Sequence, residues 1–164
     1  RRLQVLFVGA PTANGPHHDP ITRYRALKRG LGAAGIDLTY DEDPAHAFSE
    51  PFLAHFDAVL CTASVEYLVQ PLDVFREVRR VLKPGAPFVL TFSERWFPPK
   101  VIQLWPAIHP FERVGLVLHY FREAGGFGVL GSEAARGWPR PEDDKYAGQF
   151  PDADPLYAVW GRAV

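Results

Sequence analysis

Residues 56–99 read FDAVLCTASVEYLVQPLDVFREVRRVLKPGAPFVLTFSERWFPP, and the punctuation of this stretch decides the fold. Ala58 to Cys61 is a short apolar run entered from Phe56-Asp57, which suits a buried strand. From Pro71 to Lys83, Leu72, Phe75, Val78 and Leu82 recur at spacings of three and four, so one apolar stripe runs along a helix that Pro84-Gly85 stops. Pro87 to Phe92 is the next strand. Strand, helix and strand in this order predict a parallel pair joined by a right-handed crossover.

The flanks repeat the alternation. Upstream, Leu3 to Gly9 is an apolar strand, and Asp19-Pro20 caps a helix in which Ile21, Tyr24, Leu27 and Leu31 share a face. Gly35 ends that helix in a left-handed turn. Ile36 to Tyr40 then alternates like a half-buried strand, closed by Asp41, Glu42 and Asp43 before Pro44. Downstream, a helix opens at Pro110 and runs through Phe111, Val114, Leu118 and Phe121 to Gly125-Gly126. Phe127 to Arg136 and Leu156 to Arg162 are closing strands, separated by the Pro- and Asp-rich stretch Gly137 to Pro155; such a late pair is expected to run antiparallel at a sheet edge. The predicted fold class is α/β: a single Rossmann-like three-layer domain over residues 1–164, with a mostly parallel sheet of about six strands and an antiparallel edge.

Composition narrows the function classes. A chain of 164 residues fits one core, and 47% hydrophobic residues suffice to build it. The net charge of -1 supplies no field to draw in phosphate backbones or anionic membranes, so a small molecule rather than nucleic acid or membrane is the expected partner. The single cysteine, Cys61, excludes an internal disulfide framework and points to the cytoplasm. No apolar run reaches the length of a membrane span. The chain starts Arg1-Arg2 and contains no Met, which leaves open a missing upstream segment.

The run from Phe56 to Pro99 resembles class I S-adenosylmethionine-dependent methyltransferases of the broad type 11 group. In that group an F-D strand, a polar loop, a helix ending R-h-L-K-P-G and a strand ending near Ser follow in this order. The likeness continues through FERVGLVLHYFREAGGF and LYAVWGRA to the C-terminus. It implies S-adenosyl-L-methionine as cofactor and an unidentified small molecule as methyl acceptor. The family's D/E-h-G-x-G-x-G loop is degenerate here: Gly9 and Gly15 are present in VLFVGAPTANGPHHDP, but Phe7 stands where the acid is expected. The first 55 residues, taken alone, resemble ThuA-like domains of the glutamine amidotransferase-like superfamily, which begin with a strand, a His-containing loop, a helix and a second strand. Three readings stay open: a methyltransferase, a non-catalytic ThuA-like module binding a sugar or polyol, and an inactive hybrid joined near Ala54 to Leu60.

The resemblance and the edge rule for open α/β sheets together nominate the site residues. Cofactor contacts are expected from Gly9, Ala10 and Gly15 after the first strand, from Asp41 and Glu42 after the second, and from Cys61, Thr62, Ala63 and Ser64 after the third. Tyr67, Arg95 and Trp96 are expected to line the acceptor, with Lys100, Trp105, His109 and Arg113 as further pocket residues. No catalytic residue is assigned, because methyl transfer needs in-line placement and exclusion of water more than a particular side chain. No metal is expected: the adjacent His17 and His18 point in different directions and lack a third spaced ligand.

Overall fold

Strands and helices alternate along the chain in the computed structural model, which describes residues 3–8, 20–41, 56–144 and 146–164. The strands are β1 (Leu3–Val8), β2 (Ile36–Asp41), β3 (Ala58–Thr62), β4 (Pro87–Ser93), β5 (Phe127–Ala135) and β6 (Leu156–Ala163). The helices are α1 (Pro20–Ala33), α2 (Pro71–Val81), the short α3 (Leu104–Ala107) and α4 (Pro110–Ala124), with a 3-10 turn at Val65–Tyr67. The strands form a six-stranded sheet in the order β2-β1-β3-β4-β6-β5. β1 to β4 run parallel, and β6 is antiparallel to both β4 and β5. This is the α/β sheet with an antiparallel edge that the alternation predicts. Among the described residues no helix is long and apolar enough to cross a membrane.

Register places the carboxyl ends of the parallel strands on one edge. Val8 is level with Asp41, Leu6 with Val59, and Thr62 with Thr91. The chain moves outward to β2 on one side of β1 and to β3 and β4 on the other, so the order reverses between β1 and β3. Such a reversal leaves a crevice at the carboxyl ends, because the flanking connections depart to opposite faces.

The core gathers where α2 and α4 cross β4. Phe75 packs edge-on against Phe88 at 5.0 Å and Phe121 at 4.9 Å, and all three rings are fully buried. Period-2 burial along β4 sends Phe88, Leu90 and Phe92 inward. Toward the strand's carboxyl end Phe92 meets Trp105 at 5.1 Å and Tyr157 at 5.5 Å.

The opposite, amino edge is held by a clasp made from the F-D and L-K-P-G segments. The Phe56 N–H donates to the Val81 carbonyl at 3.0 Å, and the Lys83 N–H donates back to the Phe56 carbonyl at 3.0 Å. Asp57 and Gln4 exchange bonds: the Gln4 N–H donates to Asp57 Oδ2 at 2.8 Å, and the Asp57 N–H donates to the Gln4 carbonyl at 2.8 Å. Lys83 Nζ pairs with the same Oδ2 at 3.0 Å. Gly85, at φ +79, takes a left-handed turn that a side chain would strain, and its N–H donates to the Ala163 carbonyl at 2.8 Å.

Three details differ from the expectations. α2 ends at Val81 rather than Lys83, because Leu82 turns extended to bridge Phe56. The buried side of α4 is Arg113, Val117, Tyr120 and Phe121, whereas Phe111 is 63% exposed. Phe111 sits one residue inside the helix start and is flanked by His109, which stacks on it at 5.7 Å, and by Arg136 at 5.3 Å. Finally, α3 is absent from the predicted elements, since four residues including Pro106 are too short to show a helical period.

Candidate functional site

The carboxyl ends of β3 and β4 open into a cavity of about 1360 Å³. Its floor and near wall come from Ala63, Ser64, Glu66 and Tyr67 after β3, its far wall from Ser93 to Pro98 after β4, and its roof from Arg140 and residues 150–155. Chain order explains the arrangement: β3 and β4 are neighbours, so the loops that leave them in the same direction face each other.

The turn after β3 is tightly specified. Ala63 stands at φ 49, an unfavourable left-handed position for a residue with a Cβ, and its N–H donates to the Thr91 carbonyl at 2.8 Å. The Ser64 hydroxyl donates to the Thr62 carbonyl at 2.9 Å, and the Thr91 hydroxyl donates to that of Thr62 at 3.1 Å. Non-glycine residues in left-handed backbone cluster where a ligand or a sharp change of direction over-determines the chain.

Glu66 is the least compensated group in the cavity. The residue is 2% exposed, and its Oε2 has no hydrogen-bond partner. Its carbonyl is fixed by the Ile102 N–H at 3.0 Å, while the Tyr67 hydroxyl beside it accepts from the Phe97 N–H at 3.0 Å. Burial raises the Glu66 carboxyl above the usual carboxylate range, against the pull of its own backbone N–H and of the Tyr67 hydroxyl. Burial likewise raises the Tyr67 hydroxyl and, with Glu66 adding, pushes the Cys61 thiol up to about 12. Cys61 is therefore a neutral thiol at physiological pH, unsuited to nucleophilic chemistry.

The Glu66 shift has a definite consequence for stability. A carboxyl whose folded pKa lies above its unfolded value contributes its full stabilisation below the unfolded value, near pH 4, and loses it as pH rises through the folded one. Glu66→Gln is thus expected to raise Tm at about pH 7.5 and to leave it nearly unchanged at about pH 4, read by circular dichroism melts. The groups facing the carboxyl are Cys61 and Tyr67, both neutral at these pH values. A lower Tm for the variant at both pH values would mean that the charge is compensated in the fold.

The arginines around the cavity are committed elsewhere. Arg95 Nε pairs with Asp154 at 2.5 Å and its guanidinium lies 4.7 Å from the Tyr146 ring centre. The Arg140 side chain is 4% exposed; it donates to the Phe150 carbonyl at 3.2 Å and pairs with Asp144 at 3.4 Å and Asp154 at 3.5 Å. These contacts tie the roof to the far wall. Trp96 lies over Arg113 at 4.5 Å, and Arg113 donates to the Trp105 carbonyl at 2.9 Å.

Of the residues nominated from sequence, Ala63, Ser64, Tyr67, Arg95, Trp96 and Lys100 line this cavity. Cys61 and Thr62 lie just before it, in β3. Asp41 ends β2 beside Val8, at the crevice rather than at the cavity. Gly9, Ala10, Gly15, Glu42 and the His17-His18-Asp19 run lie outside the described residues. Trp105, His109 and Arg113 belong to the packing instead of the pocket. Trp105 is fully buried against Phe92, Arg113 is buried beneath Trp96, and His109 caps α4 by accepting from the Phe111 N–H at 3.3 Å, while its own N–H donates to Glu112 at 2.6 Å. Phe97 and the roof are lining residues that sequence reasoning missed, and Glu66, which opens the loop nominated after β3, was given no role of its own. The signal for Glu66 was an acid set between Val65 and Tyr67, where a solvated surface acid would have polar neighbours. Among the described residues no group of three His, Cys, Asp or Glu side chains could hold a metal ion.

Comparison with known proteins follows the same lines. A family model described as a methyltransferase domain matches residues 22–90. A possible histamine N-methyltransferase from Thermotoga maritima superposes with a TM-score of 0.55 at 12% identity, covering 100% of this chain and 83% of that one. A 16S rRNA adenine methyltransferase with cosubstrate SAM, from Catenulisporales acidiphilia, superposes with a TM-score of 0.60 at 17% identity, covering 99% and 86%. The precorrin-6y C5,15-methyltransferase of Geobacter metallireducens gives 0.55 at 13% identity, covering 98% and 80%. No curated protein matches the chain in sequence. The fold is that of S-adenosylmethionine-dependent methyltransferases, and the cofactor expected from the resemblance agrees with these matches. The ThuA-like reading of residues 1–55 finds no support. The methyltransferase model starts at residue 22, inside that stretch, and runs across the supposed junction at Ala54 to Leu60 without a break.

Proposed function

We propose that this chain is a methyltransferase that binds S-adenosyl-L-methionine at the crevice between β1 and β3 and places a small-molecule acceptor in the adjoining cavity over β4. The observation that carries this reading is the adjacency of the two: the order reversal lies beside Cys61 and Thr62, and the cavity begins at the next residues, Ala63 and Ser64. Asp41 fits the cofactor's ribose, since an acid at the tip of the strand beside β1 is where sheets of this kind accept ribose hydroxyls. Gly9, Ala10, Gly15 and Glu42 complete that side of the proposal, with Cys61 to Ser64 forming the wall toward the acceptor. When bound, the cofactor supplies an electrophilic methyl group on a sulfonium.

The chain's own part is to orient and to exclude water. Tyr67 and Trp96 line the cavity that takes the acceptor in this reading, while Arg95, tied to Asp154, anchors its roof. The acceptor is a small molecule in this reading because the cavity is roofed and its arginines are already paired with acids, which leaves little to grip a phosphate backbone. The fold by itself does not choose: the superposed proteins are named for histamine, rRNA and a precorrin.

Calorimetric titration with S-adenosylhomocysteine tests the reading. Binding is expected, and a ligand excess of about a hundredfold over Kd should stabilise the chain by about 2.7 kcal/mol, a Tm rise of roughly 5 to 10 °C. Asp41→Ala is expected to weaken binding about tenfold, the order of one or two hydrogen bonds to a charged acceptor. No heat and no Tm change at millimolar ligand would remove the reading.

A further inference from the structure

The buried Glu66 Oε2 has no hydrogen-bond partner in the folded chain. Buried polar atoms are nearly always satisfied, so one left open on a cavity wall marks a place reserved for a donor that arrives with a ligand. The donor's chemistry can be narrowed from the surroundings. Arg95, Arg140 and Arg113 are bound to other groups, and the remaining lining cation, Lys100, is exposed and makes no ion pair with Glu66 among the described residues. The Glu66 carboxyl therefore has no fixed counterion among the described residues. Its chain neighbour Tyr67 and Phe97 have ring centres 6.5 Å apart and line the same cavity, as does Trp96, and aromatic faces attract cations. Two such rings in the same region already hold guanidinium groups, Tyr146 under Arg95 and Trp96 over Arg113.

We propose that Glu66, in a cavity lined also by Tyr67, Trp96 and Phe97, recognises the nitrogen of an amine with an apolar body, and that the methyl acceptor is such an amine. The amine site stands on this geometry; only its identification as the acceptor rests on the methyl-transfer reading. In the transfer, the bound ammonium first gives a proton to the Glu66 carboxylate; the freed nitrogen lone pair then forms the new N–C bond as the sulfur–carbon bond breaks with its pair passing to sulfur, and the N-methylammonium product departs while Glu66 returns its proton to solvent. Burial, which makes Glu66 a stronger base than an exposed carboxylate, favours the first of these steps.

The test is calorimetric titration of the whole chain with benzylamine, phenethylamine and tyramine, each against its matched alcohol, with and without S-adenosylhomocysteine. At least one amine is expected to bind tenfold or more tightly than its alcohol. Glu66→Gln is expected to abolish that preference while S-adenosylhomocysteine binds within about twofold of the parent. If the variant does not fold, the comparison of amine with alcohol on the parent chain still decides. The inference is overturned if no amine outbinds its alcohol by threefold, or if Glu66→Gln keeps the preference. An amine preference without S-adenosylhomocysteine binding would sink the methyl-transfer reading alone; the reverse result would sink this inference alone.

Discussion

Phe75→Ala is expected to cost about 3 to 5 kcal/mol of stability, the range for removing a buried phenyl ring that its surroundings cannot refill. Phe75 is fully buried, and three aromatic rings meet it edge-on: Phe88 at 5.0 Å, Phe121 at 4.9 Å and Tyr120 at 5.8 Å. These partners come from β4 and from α4, elements that are themselves anchored, so they cannot follow the truncated side chain into the gap. The lost transfer free energy then adds to the lost edge-to-face contacts. For a chain of this size the Tm should fall by on the order of 10 °C. Urea denaturation with an unchanged slope would show that the native state, not the unfolded one, was altered. Phe111→Ala, at a 63% exposed ring on α4, is the control and should stay within about 0.5 kcal/mol. Equal losses at the two positions would contradict the α2–α4 packing.

Asp57→Ala is expected to cost about 2 to 3 kcal/mol, since the change leaves the Gln4 N–H without its acceptor and Lys83 without its counterion. Side-chain exposures of 17% for Asp57 and 24% for Lys83 place the pair mostly out of water, so screening removes only part of this. Lys83→Ala should cost less, because Asp57 keeps its backbone donor. Asp57→Asn, which preserves an acceptor oxygen, should fall between. The clasp lies at the amino edge, at the far end of the strands from the cavity, so ligand binding by the folded fraction should be unaffected. A loss of affinity that exceeds the loss of folded protein would show that the two edges are coupled.

Asp57 also explains why the resemblance was so readable. The F-D and L-K-P-G segments, the most recognisable parts of the chain, are scaffold: their residues hydrogen-bond one another and close the bottom of the sheet. They reveal the fold because they are required by it, whatever the acceptor. The cavity contributes a weaker signal. Ala63, Ser64 and Tyr67 could be nominated from their place after β3, and Arg95 and Trp96 from theirs after β4, since strand ends in parallel sheets converge on one edge. Their functions could not, because Arg95 is committed to Asp154, which lies far along the chain.

What the amino-acid sequence determined by itself is local and periodic: where apolar residues repeat at two or at three to four, where proline and glycine interrupt them, and hence the order of strands and helices and the parallel sheet that order implies. Trp105, His109 and Arg113 show where that information stops. Each follows a strand and looked able to reach a ligand, yet they serve as core ring, helix cap and buried brace. Only the tertiary structure set Glu66 against Tyr67 and Phe97 under a roof from residues 150–155 and left one of its oxygens without a partner. The reason is electrostatic: an acid's behaviour depends on how much water and which charges surround it, and those surroundings are assembled from segments that meet only when the chain is folded.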